Sequence, residues 1–249
     1  VSAPCVADGP LFPVDPAAPA YRTRIIGHRG LPGRLPENTV ASLRAAAGAG
    51  ADLVEVDVKT TRDGVVILMH DETVDRTTDG TGAVDHLTFR EVRALRAGGE
   101  PVPTLEEALA GVDCPFMVDF DRVREAIALR PLLAAPAVRR RVLLTGGNAD
   151  AHGVLREAYP DIAISMSAAW AVTRGDLWHR AAAVRAQYLN PQHVGVRAAF
   201  VARARAAGYG VSTWTVDRPS SIRRLLGLGV DLLITNRTDL AVAALGARP

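Results

Sequence analysis

Nine short apolar runs recur along this chain, and every consecutive pair but one is separated by a stretch long enough for a helical crossover. The runs are Arg24 to Gly27, Leu53 to Val58, Val65 to Met69, Phe116 to Phe120, Arg141 to Leu144, Ile162 to Ser165, Gln187 to Asn190, Gly210 to Val216 and Asp231 to Thr235. Between them lie longer Ala/Leu/Arg segments of helical character, the pattern of a parallel α/β architecture. Parallel neighbours need a crossover of about a dozen residues or more, and the link from Val58 to Val65 is too short for one. Val65 to Met69 is therefore read as the return arm of an antiparallel hairpin, which leaves eight strands. Eight β/α units in 249 residues predict an α/β fold: a single (β/α)8 TIM barrel with a hairpin excursion after the second barrel strand.

Residues 1–22 are rich in Pro and Ala without a sustained period and read as an N-terminal arm, with the barrel domain occupying residues 23–249. Helices are expected over Thr39 to Ala47, Thr88 to Leu95, Thr104 to Leu109, Ala151 to Ala158, Arg197 to Ala207 and Pro219 to Leu226. Thr104-Leu105-Glu106-Glu107 has the spacing of a capping box, and Gly208 and Gly227 stand where C-terminal caps are expected. With 48% hydrophobic residues, a mean hydropathy of +0.10 and a formal charge of only +2, the chain can bury a large core. It carries no basic stripe for nucleic acid. Of its 29 lysines and arginines only Lys59 is a lysine, a bias that ordinarily reflects genome composition. Cys5 and Cys114 have no zinc-ligand spacing and leave a bridge open. No run is long and apolar enough for stable membrane insertion, and no basic-then-apolar leader stands at the start. A soluble protein is expected, the cytoplasm being favoured over secretion.

The hairpin carries the first functional signal. Asp63-Gly64 between apolar, β-branched runs predicts a two-residue type I′ turn. In that register Arg62 faces Val65 and Asp57 faces His70, while strand periodicity sets Glu55 and Asp57 on one face. Two acids and an imidazole would then converge.

Other strand ends add to this. His28-Arg29-Gly30 closes the first strand, and barrel active sites are built at that end. Glu55 and Asp57 stand in an otherwise apolar run, where inward-facing acids are costly unless paired or metal-bound. A solvent-facing amphipathic strand is the competing reading. Asp119 and Asp121 share a face at the end of a later strand. Asp119 would complete an oxygen site with Glu55 and Asp57 for Mg²⁺ or Ca²⁺, although both aspartates could equally pair with arginines. Two imidazoles, His28 and His70, flanking a metal-bound phosphodiester are what general acid–base cleavage requires. Arg29 would share the charge on the non-bridging oxygens. His86, His152, His179 and His193 lack such company and read as structural or surface residues.

These segments, taken in order, resemble the glycerophosphodiester phosphodiesterases, within the wider group of barrel phosphodiesterases that includes phosphatidylinositol-specific phospholipase C. The matching pieces are Gly27-His28-Arg29-Gly30, Pro36-Glu37-Asn38-Thr39, Glu55-Val56-Asp57-Val58, Thr61-Arg62-Asp63-Gly64, His70-Asp71 and Arg76-Thr77-Thr78-Asp79-Gly80-Thr81-Gly82. Pro103-Thr104-Leu105-Glu106-Glu107, Trp214-Thr215-Val216-Asp217 and Gly229-Val230-Asp231 follow. The resemblance implies that His28 and His70 are the acid–base pair and that Arg29 binds phosphate. It implies that Glu55, Asp57 and Asp119 hold the metal, and that Trp214 lines the substrate pocket, with a packed core tryptophan as the alternative. In that family a Glu-x-Lys pair ends the third barrel strand, where this chain has Asp119-Phe120-Asp121. Asp121 thus puts an anion where the pattern has a cation, a deficit that Arg29, a second metal or Lys59 would have to offset.

The expected activity is metal-dependent hydrolysis of a small-molecule glycerophosphodiester to an alcohol and glycerol 3-phosphate. The alternatives are a specialised lysophospholipase D-like or biosynthetic phosphodiesterase, or a catalytically silent barrel binding protein.

Overall fold

In the computed structural model, residues 22–169 and 176–246 are described. The expected arm, except for Arg22, lies outside the described residues, and so does Cys5. From the N-terminal side the elements are β1 (Arg24–Gly27), α1 (Val40–Gly48), β2 (Leu53–Thr60), β3 (Val66–Leu68), α2 (Phe89–Ala94), β4 (Arg96–Ala97), β5 (Glu100–Pro101) and α3 (Leu105–Gly111). Then come β6 (Phe116–Asp119), α4 (Val123–Leu133), α5 (Pro136–Arg139), β7 (Val142–Gly146), α6 (Ala149–Ala158), β8 (Ala163–Ala168) and α7 (Asp176–Ala183). The chain continues through β9 (Tyr188–Pro191), α8 (Ala198–Ala206), β10 (Gly210–Thr213), α9 (Pro219–Leu228), β11 (Leu232–Thr235) and α10 (Thr238–Gly246).

Eight parallel strands, in the order β1, β2, β6, β7, β8, β9, β10 and β11, close on themselves through the pairing of β1 with β11. The fold is a (β/α)8 TIM barrel, and the ninth strand, β3, pairs antiparallel with the upper part of β2. The capping box at Thr104 and Glu107 forms, as does a second at Thr88 and Glu91. Helix α9 runs through Gly227 and ends at Gly229, whose φ of +69° is the left-handed cap, so the cap falls two residues later than expected. Helices α4, α5, α7 and α10 lie outside the expected set: α4 contains Pro131, and α5 is a single turn opened by Pro136. Among the described residues no helix is long and apolar enough to cross a membrane.

The hairpin differs from expectation by one residue. Val58 pairs with Leu68 and Thr60 with Val66, so Asp57 lies level with Met69 rather than His70. The loop is three residues long: the Gly64 N–H donates to the Thr61 carbonyl at 3.0 Å, and of the loop residues only Gly64 takes positive φ, at +87°. That is a type I turn closed by a left-handed glycine, not a type I′ turn. Asp63 stays in ordinary backbone space because its carboxylate accepts both the Thr61 hydroxyl at 2.7 Å and the Phe89 N–H at 2.9 Å.

Two apolar layers orient every strand. Ile26, Leu53, Met117, Leu143, Tyr188, Leu232 and Ile234 pack together inside the barrel. Val54, Val56, Val58, Val118, Leu144 and Leu233 belong to the larger core between sheet and helices. The alternate residues of β2, Leu53, Glu55, Asp57 and Lys59, therefore climb its inner face from the apolar floor to the C-terminal rim. A third cluster of Ile67, Met69, Val74, Val84, Val92 and Val102 seals the segment that follows β2 against the barrel.

Gly30, with φ +88°, lets the loop after β1 lie against α1, where a Cβ would approach the Ser42 backbone to 2.6 Å. Gly30→Ala is expected to lower stability by about 1–3 kcal/mol from backbone strain alone, read as a lower urea midpoint with an unchanged m-value.

Candidate active site

The C-terminal rim opens into a cavity of about 510 Å³ whose lining includes His28, Arg29, Glu55, Asp57, His70, Asp119 and Trp214. All seven residues singled out from the sequence thus meet in one place. The register slip does not remove His70, because β3 ends at Leu68 and the last rung is the Met69 N–H donating to the Asp57 carbonyl at 3.0 Å. His70 lies beyond that rung and is free of the strand's alternation.

Glu55, Asp57 and Asp119 each offer a carboxylate oxygen within 4.8 Å of the other two. Asp57 and Asp119 are level on adjacent strands β2 and β6. Burial, then the charges of Asp57 and Asp119, pushes the Glu55 carboxyl well above the ordinary carboxylate range. Asp119 is pushed up to about 8 by burial and by Asp57 and Asp121, with Lys59 and Arg29 pulling the other way. Three oxygen donors this close, too crowded to ionise together, fit a hard divalent cation.

The cluster is held from the loop after β1. The Arg29 N–H donates to Glu55 Oε2 at 2.8 Å, while its guanidinium pairs with Asp57 Oδ2 and Glu37 Oε1, each at 3.0 Å. Asn38 Nδ2 donates to Asp57 Oδ2 at 2.9 Å, and Asn38 Oδ1 accepts the Asp57 N–H at 3.2 Å.

The two imidazoles sit in different surroundings. His28, with 16% of its side chain exposed, places Nε2 3.9 Å from Glu55 Oε2 and Nδ1 2.8 Å from Asn236 Oδ1. Asn236 in turn donates through Nδ2 to Asp217 Oδ2 at 2.8 Å. An amide oxygen facing Nδ1 selects the tautomer with the proton there and leaves Nε2 as the basic nitrogen. Burial and then the Arg29 charge lower the His28 pKa, with Asp57 and Asn236 opposing. His70 has 44% of its side chain exposed, and its Nδ1 lies 2.6 Å from Asp71 Oδ1. Arg76 Nε donates to Asp71 Oδ2 at 2.6 Å and holds the Asp71 carboxyl far below the usual range, with His70 adding to the effect.

Asp121 also reaches the cavity, where its carboxylate accepts the Gly147 N–H at 2.5 Å. Trp214 lines the wall, its indole N–H donating to the Asn190 carbonyl at 3.0 Å. The remaining histidines lie elsewhere: His152 is buried and stacked on Phe120 at 4.5 Å, and His193 is bonded to the Trp214 carbonyl. Sequence reasoning missed Asn236 and Asp217. Their signal was available, since Asn236 directly follows β11, where barrels place working residues.

Imidazoles, carboxylates and an arginine gathered over the C-terminal end of a closed (β/α)8 barrel define the class, a TIM-barrel hydrolase. A family model described as "Glycerophosphoryl diester phosphodiesterase family" matches residues 28–240, and the chain belongs to that family of phosphoric diester hydrolases. It is 32% identical over 238 residues to a glycerophosphodiester phosphodiesterase of Caldanaerobacter subterraneus subsp. tengcongensis, covering 89% of this chain and 97% of that protein. A shorter match, 47% identical over 102 residues, relates 37% of this chain to 31% of human glycerophosphodiester phosphodiesterase 1. Among solved structures, an Oleispira antarctica phosphodiesterase in complex with the product sn-glycerol-3-phosphate superposes with a TM-score of 0.83. The two are 25% identical, over 90% of this chain and 97% of that one.

The raised Asp119 pKa carries a sign. A carboxyl that binds its proton more tightly folded than unfolded stabilises the fold at low pH, and that stabilisation is lost as pH climbs from the unfolded value near 4 towards about 8. Metal-stripped protein is expected to melt at progressively lower temperature across this window. Added Mg²⁺ or Ca²⁺ should raise the midpoint more at pH 8 than at pH 5 in calorimetry, and Asp119→Asn should flatten both responses.

Proposed function

We propose that this chain hydrolyses glycerophosphodiesters to an alcohol and glycerol 3-phosphate, with His28 and His70 exchanging protons around a divalent cation held by Glu55, Asp57 and Asp119. The observation that carries this reading is the convergence of both imidazoles and the three crowded carboxylates on one cavity. The product bound to the Oleispira antarctica relative is the one expected here.

A cation bound to the three carboxylates, Mg²⁺ or Ca²⁺ by the all-oxygen donor set, would neutralise them and draw charge from a phosphoryl oxygen. The protein supplies the proton transfers. His28, kept neutral by burial, takes the proton from the attacking oxygen as the new P–O bond forms; where that oxygen is a neighbouring substrate hydroxyl rather than water, a second attack by water opens the cyclic phosphate to glycerol 3-phosphate. His70, its Nδ1 held 2.6 Å from Asp71 Oδ1, gives its proton to the departing alkoxide as the old P–O bond breaks. Arg29 steadies Glu55 and Asp57 while facing the same cavity, and Trp214 forms the wall for the organic part of the substrate.

His28→Ala and His70→Ala are each expected to lower kcat by about 10²–10⁴ on glycerophosphodiesters and on bis(p-nitrophenyl) phosphate. EDTA should abolish turnover and Mg²⁺ or Ca²⁺ restore it. Turnover left unchanged by chelator, or by either substitution, overturns the proposal. Because His28 works as the free base from a lowered pKa, the acid limb of kcat/KM should fall below the 6.5 of an ordinary imidazole. Stopped assays at constant ionic strength would show it.

A further inference from the structure

Among the described residues, three cationic side chains line the cavity: Arg29, Lys59 and Arg180. Arg29 is committed to Asp57 and Glu37. Arg180 donates through Nη1 to the Gly147 carbonyl and places Nε 3.2 Å from Asp176. Lys59 differs from both. Its ammonium, with three hydrogens to give, has one ion-pair partner, Glu72 Oε1 at 2.9 Å. That partner is itself divided, since the other Glu72 oxygen pairs with Arg122.

The burial of the pair is lopsided. Lys59 has 15% of its side chain exposed and Glu72 52%, so the lysine is drawn towards solvent by a carboxylate already shared with a second cation. With its carboxylate half in solvent, the pair is screened on one side and its net contribution is modest. On the inner face of β2, Lys59 stands two residues beyond Asp57, about 7 Å further up the strand, within reach of a four-carbon stem folding back towards the cavity. Its charge already acts inside, opposing the upward push on Asp119. It is also the sole lysine among 29 lysines and arginines, a compact, rotatable point charge rather than a planar fork.

We propose that Lys59 is a substrate-binding residue whose ammonium leaves Glu72 for a non-bridging oxygen of the bound phosphoryl group, supplying the mobile positive charge that the committed Arg29 and Arg180 cannot. The proposal rests on the phosphodiesterase reading of the same cavity. Glu72 is then a holder that keeps the ammonium at the rim until an anion arrives. It gives the ammonium up because its carboxylate is half exposed to solvent and already shared with Arg122.

Because Lys59 is the only lysine, protein labelled with ¹³Cε-lysine gives one lysine side-chain signal. Titration of that protein with inorganic phosphate or glycerol 3-phosphate in the presence of Mg²⁺ should shift this signal, with a saturation midpoint equal to the inhibition constant of the same anion. Lys59→Met should raise both the phosphate inhibition constant and KM for glycerophosphodiesters about tenfold or more, the usual loss for a charged contact, with a smaller fall in kcat. Lys59→Arg should recover only part. Glu72→Gln separates this role from a structural one: it should leave phosphate binding as tight as in the wild type or tighter, whereas a lysine needed only to anchor Glu72 would make Glu72→Gln behave like Lys59→Met. A signal that does not move while phosphate inhibits the wild type, or matched losses in the two variants, overturns the role of Lys59 and leaves the phosphodiesterase reading standing. A wild type that neither binds phosphate nor hydrolyses any phosphodiester overturns both.

Discussion

Like-charge repulsion among Glu55, Asp57 and Asp119 is the constraint around which the rim of the barrel is organised. Their oxygens lie within 4.8 Å of one another, and the Leu53, Met117 and Leu143 side chains below them provide no screening. Ionised groups in such a place cost several kcal/mol each unless charge or hydrogen bonds answer them. The answers come from one short loop. Arg29 gives its N–H to Glu55 and its guanidinium to Asp57, and Asn38 binds Asp57 through both its carboxylate and its N–H. Both residues sit at left-handed φ, +54° and +56°. Asn tolerates that region and Arg does not, so the strain at Arg29 is kept because both its backbone and its side chain are needed there.

The same loop links the two imidazoles. Glu37 Oε1 accepts from Arg29 at 3.0 Å and from Arg76 at 2.7 Å, and Arg76 clamps the Asp71 that faces His70. Burial pushes the Glu37 carboxyl up, and the two arginines more than reverse this. Through this bridge the excursion that carries His70 is tied to the barrel strand end that carries His28. The relays behind the rings are not alike. A neutral amide backs His28 and a carboxylate backs His70, and the opposite proton-transfer roles proposed for them rest on this asymmetry.

Much of this was legible in the sequence because two independent signals agreed. The spacing of apolar runs set the barrel strands within a few residues of their positions, and the acids interrupting those runs marked the inner face of β2 and the end of β6. What stayed hidden depends on partners distant in the chain. Nothing local to Asn236 announces that it will meet His28, 208 positions away. Helix α10 gave no clean period, since it is apolar on most sides.

The hairpin shows how a local rule can misplace a register while the residues it singled out still line one cavity. Asp-Gly favours a two-residue turn only if Asp accepts positive φ, and here Thr61 and Phe89 offered the Asp63 carboxylate better bonds in ordinary backbone space. The loop therefore took a third residue and the ladder shifted by one. In a longer return strand that slip would have turned the His70 side chain to the opposite face. Because β3 stops at Leu68, His70 answers instead to Asp71 and Arg76. Its position is set by an ion-pair network of the excursion, and the strand pairing only delivers the chain to the rim.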